Sequence, residues 1–134
     1  MDEFIRKSDV LIEALPYIQA FHGKAIVVKY GGSALTNSQV VKGILQDLVF
    51  LSTVGLRPVL IHGGGQEFSK RLASMGKPTT FIQGMRVTDR ATIQVVNEAL
   101  EEVNRKLVES VRGLGGAAEG MVAHDRVILA EPHP

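Results

Sequence analysis

The stretch AIVVKYGG, residues 25–32, decides the fold of this chain. Six residues, apolar on both faces apart from Lys29, run directly into a pair of glycines. Such a segment is typical of a buried strand in a parallel sheet, because both faces of such a sheet are covered and the strand ends in a tight turn. The stretch therefore predicts an α/β fold.

A second unit of the same kind follows along the chain. Asn37 is placed to cap a helix whose apolar residues repeat at helical spacing until Gly55. Residues 58–61 predict another buried strand, which ends in the glycines at 63–65, and residues 66–75 predict the next helix. Two units of strand, glycine turn and helix predict a largely parallel sheet with helices on both faces.

The first part of the chain predicts a separate helix. Residues 3–15 carry apolar side chains at helical spacing, and Pro16 is expected to end or sharply bend that helix. We therefore expect residues 1–16 to form an amino-terminal helix extension and residues 17–134 to form a single lobe.

The rest of the chain predicts a hairpin, a long helix and further strand. The hairpin occupies residues 79–87 around Gly84, and Thr88 or Asp89 caps the helix that follows. Residues 117–131 predict one or two strands. The expected apolar stripe of the long helix consists of Ile93, Val96, Leu100, Val103, Leu107, Val111 and Leu114.

The composition excludes several classes of protein. The chain has 134 residues, 45% of them hydrophobic, with a formal net charge of +1 and no cysteine. It therefore has no disulfide framework, thiolate zinc site or cysteine nucleophile. Charges of both signs are interspersed, so no basic stripe indicates a nucleic-acid partner, and no apolar run approaches the roughly 20 residues that span a membrane. We expect a cytoplasmic protein.

Both glycine clusters stand where parallel α/β sheets bind ligands, beyond the carboxyl ends of strands. Free backbone N–H groups at Gly31, Gly32, Gly63, Gly64 and Gly65 suit phosphate or carboxylate, although the glycines alternatively serve only to make tight turns. Neither cluster fits the P-loop pattern, because no lysine followed by serine or threonine comes after the glycines at the required spacing.

Several side chains have the chemistry of a site. Lys29 can neutralise a phosphoryl group, or it is a strand-end lysine that reaches into solvent. The guanidinium fork of Arg86 suits a carboxylate, although alone it fits an ordinary surface residue. His62 has no second ligand at metal-site spacing, so we expect it to hydrogen-bond to the backbone and predict no metal site. On the long helix, Asn97 and Asn104 are expected to serve helix packing, or one of them to approach substrate.

Three motifs, taken in order, resemble those of the N-acetylglutamate kinases, a branch of the amino-acid kinase family. They are KYGG at residues 29–32, HGGG at 62–65 and GMRVTD at 84–89. The likeness runs from about residue 13 to residue 120, and the third motif is the most specific.

The resemblance implies in-line transfer of the γ-phosphoryl group of ATP to the side-chain carboxylate of N-acetyl-L-glutamate. It implies Mg2+ and no covalent enzyme intermediate, so positioning and electrostatics supply the catalysis. It also implies that Lys29 stabilises the phosphoryl group in flight and that Arg86 binds the α-carboxylate. Among the glycines, it implies substrate binding by Gly64 and Gly65 and phosphate binding by Gly31, Gly32 and Gly63.

The resemblance further implies a missing half and an assembly. The family's nucleotide-binding half would lie beyond residue 134, so we expect the chain alone to show no turnover. Arginine-inhibited, hexameric members carry an amino-terminal helix like the one expected at residues 1–16. We therefore expect a homo-oligomer, either a dimer or a hexamer through this helix, with arginine as a feedback inhibitor; the alternative is a loose extension.

Two other functions stay open. One is a kinase for a related acid, aminoadipate or carbamate, because one side chain in a substrate pocket can redirect specificity. The other is a non-catalytic truncated paralogue that binds arginine or acetylglutamate.

Overall fold

The computed structural model of the chain describes residues 1–31, 37–76, 80–83, 85–122, 125 and 129, with the backbone alone for residues 85 and 86. Four helices and four strands lie in this part of the chain. In chain order they are α1 (Asp2–Phe21), β1 (Ala25–Tyr30), α2 (Ser38–Thr53), β2 (Arg57–His62), α3 (Gly65–Ser74), β3 (Phe81–Ile82), β4 (Met85–Arg86) and α4 (Arg90–Gly113).

Parallel pairing of β1 with β2 confirms the predicted α/β class. The register runs from Ala25 opposite Arg57 to Tyr30 opposite His62, so the two strands begin and end together. Their carboxyl ends therefore lie at one edge of the sheet, and both glycine turns leave from that edge.

The predicted helix caps and hairpin are confirmed. The side chain of Asn37 accepts hydrogen bonds from the N–H groups of Gln39 and Val40 at 3.0 and 3.3 Å, which satisfies two free donors at the start of α2. Asp89 does the same for α4, where it accepts from the N–H of Thr92 at 2.6 Å. Strands β3 and β4 pair antiparallel across the predicted hairpin.

The core lies between the sheet and two helices. Leu45 and Leu48 of α2 and Leu107 of α4 are buried there, and alternate residues of the strands pack against them. The opposite face of the sheet is uncovered within the described residues, because Val27, Val59 and Ile61 are 67%, 43% and 48% exposed. The other residues that pack on this core are Val28, Val41, Ile44, Leu60, Val103, Val111 and Leu114.

Helix α4 buries two faces, of which the sequence predicted one. Leu107 lies in the core as expected, whereas Ile93 is 44% exposed. Val95 and Ala99, which are outside the predicted stripe, are both buried, and Ala99 has no exposed surface. Both α2 and α3 pack against α4, so α4 needs a wider apolar surface than a single stripe.

The predicted end of the first helix at Pro16 is wrong, because α1 continues to Phe21. A proline inside a helix removes one backbone hydrogen bond and crowds the preceding turn, at a cost of about 3 kcal/mol. The backbone hydrogen bonds before and after Pro16 remain, and the helix continues past the proline. No residue of α1 is buried, and its apolar side chains, including Phe4, Leu11 and Tyr17, are exposed.

The predicted strands after α4 are not found in the part that is described. Residues 117–122 have no regular secondary structure. A strand needs a neighbouring strand for its backbone hydrogen bonds, and no described strand pairs with this segment. Its carbonyl at Met121 accepts instead from the Nδ2 atom of Asn104, at 3.3 Å.

The end of α1 is fastened to the loop between α2 and β2. The N–H of Gly23 donates to the carbonyl of Gly55 at 2.7 Å, and Nδ1 of His22 lies 3.3 Å from the carbonyl oxygen of Val54. Gly55 has a φ of 97°, in the left-handed region that favours glycine. The imidazole ring of His22 therefore lies directly over a position that has no side chain.

Replacing Gly55 with alanine is expected to destabilise the fold. An alanine Cβ would lie 2.1 Å from Nδ1 of His22, so the ring must move away and lose its contact with Val54. Left-handed backbone strain adds about 1–2 kcal/mol for a residue with a Cβ. We expect urea denaturation to show a total loss of about 2–3 kcal/mol in the free energy of unfolding.

Gly76→Ala is the matched control for this experiment. Gly76 also has a positive φ, 67°, but a Cβ there would meet nothing within 4 Å. This variant carries the backbone strain without the collision, so it should lose less stability. Equal losses in the two variants would show that His22 moves aside without cost.

Candidate functional site

The two glycine turns lie side by side at the carboxyl edge of the sheet. The N–H of Gly63 donates to the carbonyl of Tyr30 at 3.1 Å, which continues the parallel ladder one residue past β2. A Cβ built on Gly63 would lie 4.0 Å from the Cα of Gly31, so the two backbones approach closely. We call the surface formed by Gly31 and residues 63–65 the glycine edge.

Helix α3 begins at the glycine edge, with Gly64 as its N-cap and Gly65 as its first residue. Gly64 has no side chain to cap the helix, and within the described residues no protein group accepts from the N–H of Gly64 or Gly65. Free N–H groups at a helix start attract anions through their partial positive charge. The edge thus has two of the predicted donors, at Gly64 and Gly65, whereas the predicted free N–H of Gly63 is wrong because that group bonds to the carbonyl of Tyr30.

Close packing against α4 explains why residue 64 is glycine. Gly64 is buried, and a Cβ there would lie 2.8 Å from Cδ2 of Leu100. The start of α3 is therefore packed closely against α4.

Lys29 lies on the uncovered face of the sheet, next to the glycine edge. Successive residues of a strand point to opposite faces, so the buried Tyr30 faces the core and Lys29 faces away from it. Lys29 is exposed and forms no ion pair with any described residue. Its catalytic role stays a prediction.

The remaining predicted site residues are described in part or not at all. Gly32 lies outside the described residues. The backbone of Arg86 is in β4, opposite Phe81, and its side chain lies outside the described part. The structure therefore places Lys29 in β1, two residues before Gly31, and the predicted roles of Lys29 and Arg86 both stay predictions.

His62 hydrogen-bonds to the backbone, as predicted, and also to a partner that the sequence did not reveal. Its Nδ1 atom lies 3.2 Å from the carbonyl oxygen of Gly63, and its Nε2 atom lies 3.1 Å from Nδ2 of Asn104 in α4. The two residues are 42 positions apart. The sequence contained one clue to this contact. Asn104 is a polar residue that directly follows Val103, and Val103 belongs to the apolar stripe of α4.

An ion network holds α3 to α4 below the glycine edge. Glu102 of α4 pairs with Arg71 of α3 and, at 2.5 Å, with Lys106 one helical turn further on. The hydrogen bond and charge of Lys106, together with the charge of Arg71, hold the pKa of Glu102 below its ordinary value of 4.5. The carboxylate is therefore ionised at neutral pH and bridges two cations.

The contribution of Glu102 to stability is expected to depend on pH. Its pKa is lower in the folded chain than in the unfolded chain, so the stabilisation is complete above the unfolded value near 4.5 and is lost as the pH falls through the folded value. Glu102→Gln should therefore be less stable than the parent at pH 7, and the difference should shrink in acid. Urea denaturation of both proteins at about pH 7 and about pH 3.5 measures this.

Glu109→Gln provides the control, because its ion pair with Arg105 is exposed and solvent screens it, with side chains 62% and 59% accessible. We expect this variant to differ little from the parent at either pH. If the Glu102→Gln difference persisted unchanged in acid, the ion network would not be its cause.

Two further features are absent from the described part of the chain. No three side chains of histidine, aspartate or glutamate come together there to hold a metal ion. None of the helices found there has the length and apolar character needed to cross a membrane.

The sequence matches a known family and its curated members. Residues 24–131 match the model of the amino acid kinase family. An acetylglutamate kinase of Campylobacter jejuni is 42% identical over 129 residues, which is 96% of this chain and 46% of that protein. An acetylglutamate kinase of Moorella thermoacetica is 44% identical over 122 residues, 90% of this chain and 41% of that protein. The chain therefore spans slightly less than half the length of these relatives.

Solved structures resemble the fold. An N-acetylglutamate synthase of Neisseria gonorrhoeae, in complex with coenzyme A and N-acetyl-glutamate, matches with a TM-score of 0.66 and 26% identity over 78% of this chain and 24% of that one. A protein of Streptococcus mutans matches with a TM-score of 0.60 and 31% identity over 68% of this chain and 37% of that one.

Proposed function

This chain belongs to the amino acid kinase family, and we propose that it is the acyl-substrate half of an N-acetylglutamate kinase. The reaction is transfer of the γ-phosphoryl group of ATP to the side-chain carboxylate of N-acetyl-L-glutamate, as the names of its relatives suggest. The observation that carries the proposal is the glycine edge, where two turns meet and the N–H groups of Gly64 and Gly65 have no acceptor among the described residues.

Each part of the edge has a role in the proposed reaction. The N–H groups of Gly64 and Gly65 hold the acid, and those of Gly31 and Gly32 hold the phosphoryl group. Gly63 lines the same place without donating to it, because its own N–H bonds to the carbonyl of Tyr30. Lys29 neutralises charge that spreads over the phosphoryl group in the transition state. Arg86 binds the α-carboxylate through its planar fork, which presents two donors in one plane.

ATP and Mg2+ are proposed as the nucleotide and its ion. When bound, magnesium neutralises charge on the phosphates. The described residues do not themselves form a site for the ion, and no acidic cluster there fits it. The residues of this chain therefore act on the acid and the transferred group, and the proposal routes no step through the metal.

A non-catalytic binding module is the second candidate. It is favoured by the match to an N-acetylglutamate synthase, a protein with another named activity whose structures hold N-acetyl-glutamate and, in a second complex, L-arginine. Calorimetric titration of the chain with acetylglutamate, arginine and aminoadipate separates the candidates. Arginine binding without acetylglutamate binding would favour the module.

Lys29→Met is expected to abolish most of the activity of a completed enzyme. We propose that the chain alone shows no turnover and gains it when fused to the remaining part of the Campylobacter jejuni relative. In that fusion, loss of the lysine charge should lower the rate about a hundredfold, because one preorganised charge contributes about 3 kcal/mol in the transition state. A coupled assay of ADP release with acetylglutamate and magnesium measures the rate.

Lys42→Met in α2 is the control, because it removes an exposed lysine far along the chain from the glycine edge. It should keep the rate of the parent fusion. A Lys29→Met fusion as active as the control would remove Lys29 from the proposed site. Robust turnover by the chain alone would contradict the proposal that it is half of the enzyme.

Helix α1 is proposed to mediate assembly of this chain with copies of itself. Its apolar side chains are exposed along its whole length, and exposed apolar surface of this extent is typical of an interface. Deleting residues 1–15 should therefore lower the molar mass measured by light scattering. The control is Glu13→Gln, which changes one charge on the helix and leaves its apolar side chains in place. An unchanged mass after the deletion would show that α1 is a free extension.

A further inference from the structure

We infer that His62 and Asn104 are positioning residues that aim the backbone N–H of Gly64 outward at the glycine edge. The inference rests on the proposed function, because that function makes this N–H a ligand of the acid. Neither side chain touches the substrate in this arrangement. They act through the peptide group that joins Gly63 to Gly64.

The hydrogen bonds fix the tautomer of His62. The Nδ2 atom of Asn104 can only donate, so Nε2 of His62, 3.1 Å away, must accept. A neutral imidazole then carries its proton on Nδ1, which donates to the carbonyl oxygen of Gly63 at 3.2 Å. The geometry thus requires the Nδ1–H form.

The orientation of the Asn104 amide has independent support. Nδ2 also lies 3.3 Å from the carbonyl oxygen of Met121, which can only accept. Exchanging the amide nitrogen and oxygen would place two oxygens against each other. Both hydrogens of Nδ2 are therefore used, one for His62 and one for the segment that follows α4.

A planar peptide transmits this arrangement to Gly64. The carbonyl of Gly63 and the N–H of Gly64 belong to one trans peptide group, in which they point in opposite directions. Holding the carbonyl oxygen towards the His62 ring therefore turns the N–H of Gly64 away from that ring. No described protein group accepts from it, so it is available to a ligand.

Imidazole NMR tests the tautomer directly. The chain has four histidines, and the signals of His62 are those missing from a His62→Gln variant. Two-bond proton–nitrogen spectra at about pH 8, where an ordinary imidazole is neutral, distinguish the two tautomers. We expect the Nδ1–H form in the parent chain and the Nε2–H form, which free imidazole side chains prefer, in Asn104→Leu.

One glycine variant perturbs the network without replacing His62 or Asn104, and a second glycine variant is its control. A Cβ at Gly120 would lie 2.0 Å from Oδ1 of Asn104, so Gly120→Ala should displace the amide and shift the tautomer in the same direction as Asn104→Leu. Gly113→Ala is the control, because a Cβ there meets nothing within 4 Å. It should leave the imidazole signals unchanged.

The effect on the peptide and on binding completes the test. In Asn104→Leu the carbonyl carbon signal of Gly63 and the amide signal of Gly64 should both move, and the affinity for acetylglutamate should fall about tenfold, the equivalent of one hydrogen bond. Circular dichroism should show that the variant keeps its helix content, which separates lost positioning from lost folding.

The outcomes separate the inference from the proposed function. An Nε2–H form in the parent, or a tautomer unchanged in Asn104→Leu, would overturn the inference. So would binding of acetylglutamate by parent and variant with equal affinity. If the parent bound no acetylglutamate, the proposed substrate would fail for this chain. The tautomer of His62 and the backbone signals of Gly63 and Gly64 would then test the positioning of Gly64 by themselves.

Discussion

Parallel pairing of β1 with β2, with Tyr30 opposite His62, sets the position of every group at the candidate site. Because the strands run in the same direction and end together, their turns emerge at one edge, and the ladder reaches one bond further through Gly63. A shift of register by one residue would turn every side chain to the other face of the sheet. It would also separate the two glycine turns.

The two faces of this small sheet carry different groups near the candidate site. On the covered face, α2 and α4 press on the strands, and His62 and Asn104 hold the backbone next to Gly63. On the uncovered face, Lys29 supplies a positive charge. The glycine edge lies between the two faces, so it combines a backbone that is held in place with a charge that is free of protein partners in the described residues.

Local signals explain why much of the fold was predictable. The bounds of β1, the caps at Asn37 and Asp89 and the hairpin each depend on residues within a few positions of one another. Pro16 was misjudged because the cost of one missing hydrogen bond must be weighed against the bonds that remain around it. The segment 117–122 was misjudged because a strand depends on a neighbour that its own residues do not reveal.

The candidate site was predictable to a similar extent and for the same reason. Glycine pairs after buried strands predict where an anion binds, and a single sequence contains this pattern. The bond between His62 and Asn104 joins residues 42 positions apart, so only the packing of α4 on the sheet brings it about. The direction of the N–H at Gly64 depends on that packing, so the sequence pattern around Gly64 could not predict it.

The uncovered face of the sheet also bears on the solubility of the chain. Val27, Val59 and Ile61 lie exposed on it, and strands with such a face tend to aggregate by adding strands from other chains. Alternation along the strands places Lys29 and Arg57 on the same face. Charges that border an apolar strand surface act as gatekeepers, because a chain that docks there must desolvate them. We therefore expect Lys29 to oppose the addition of strands from other chains at this face, in addition to any role in a reaction.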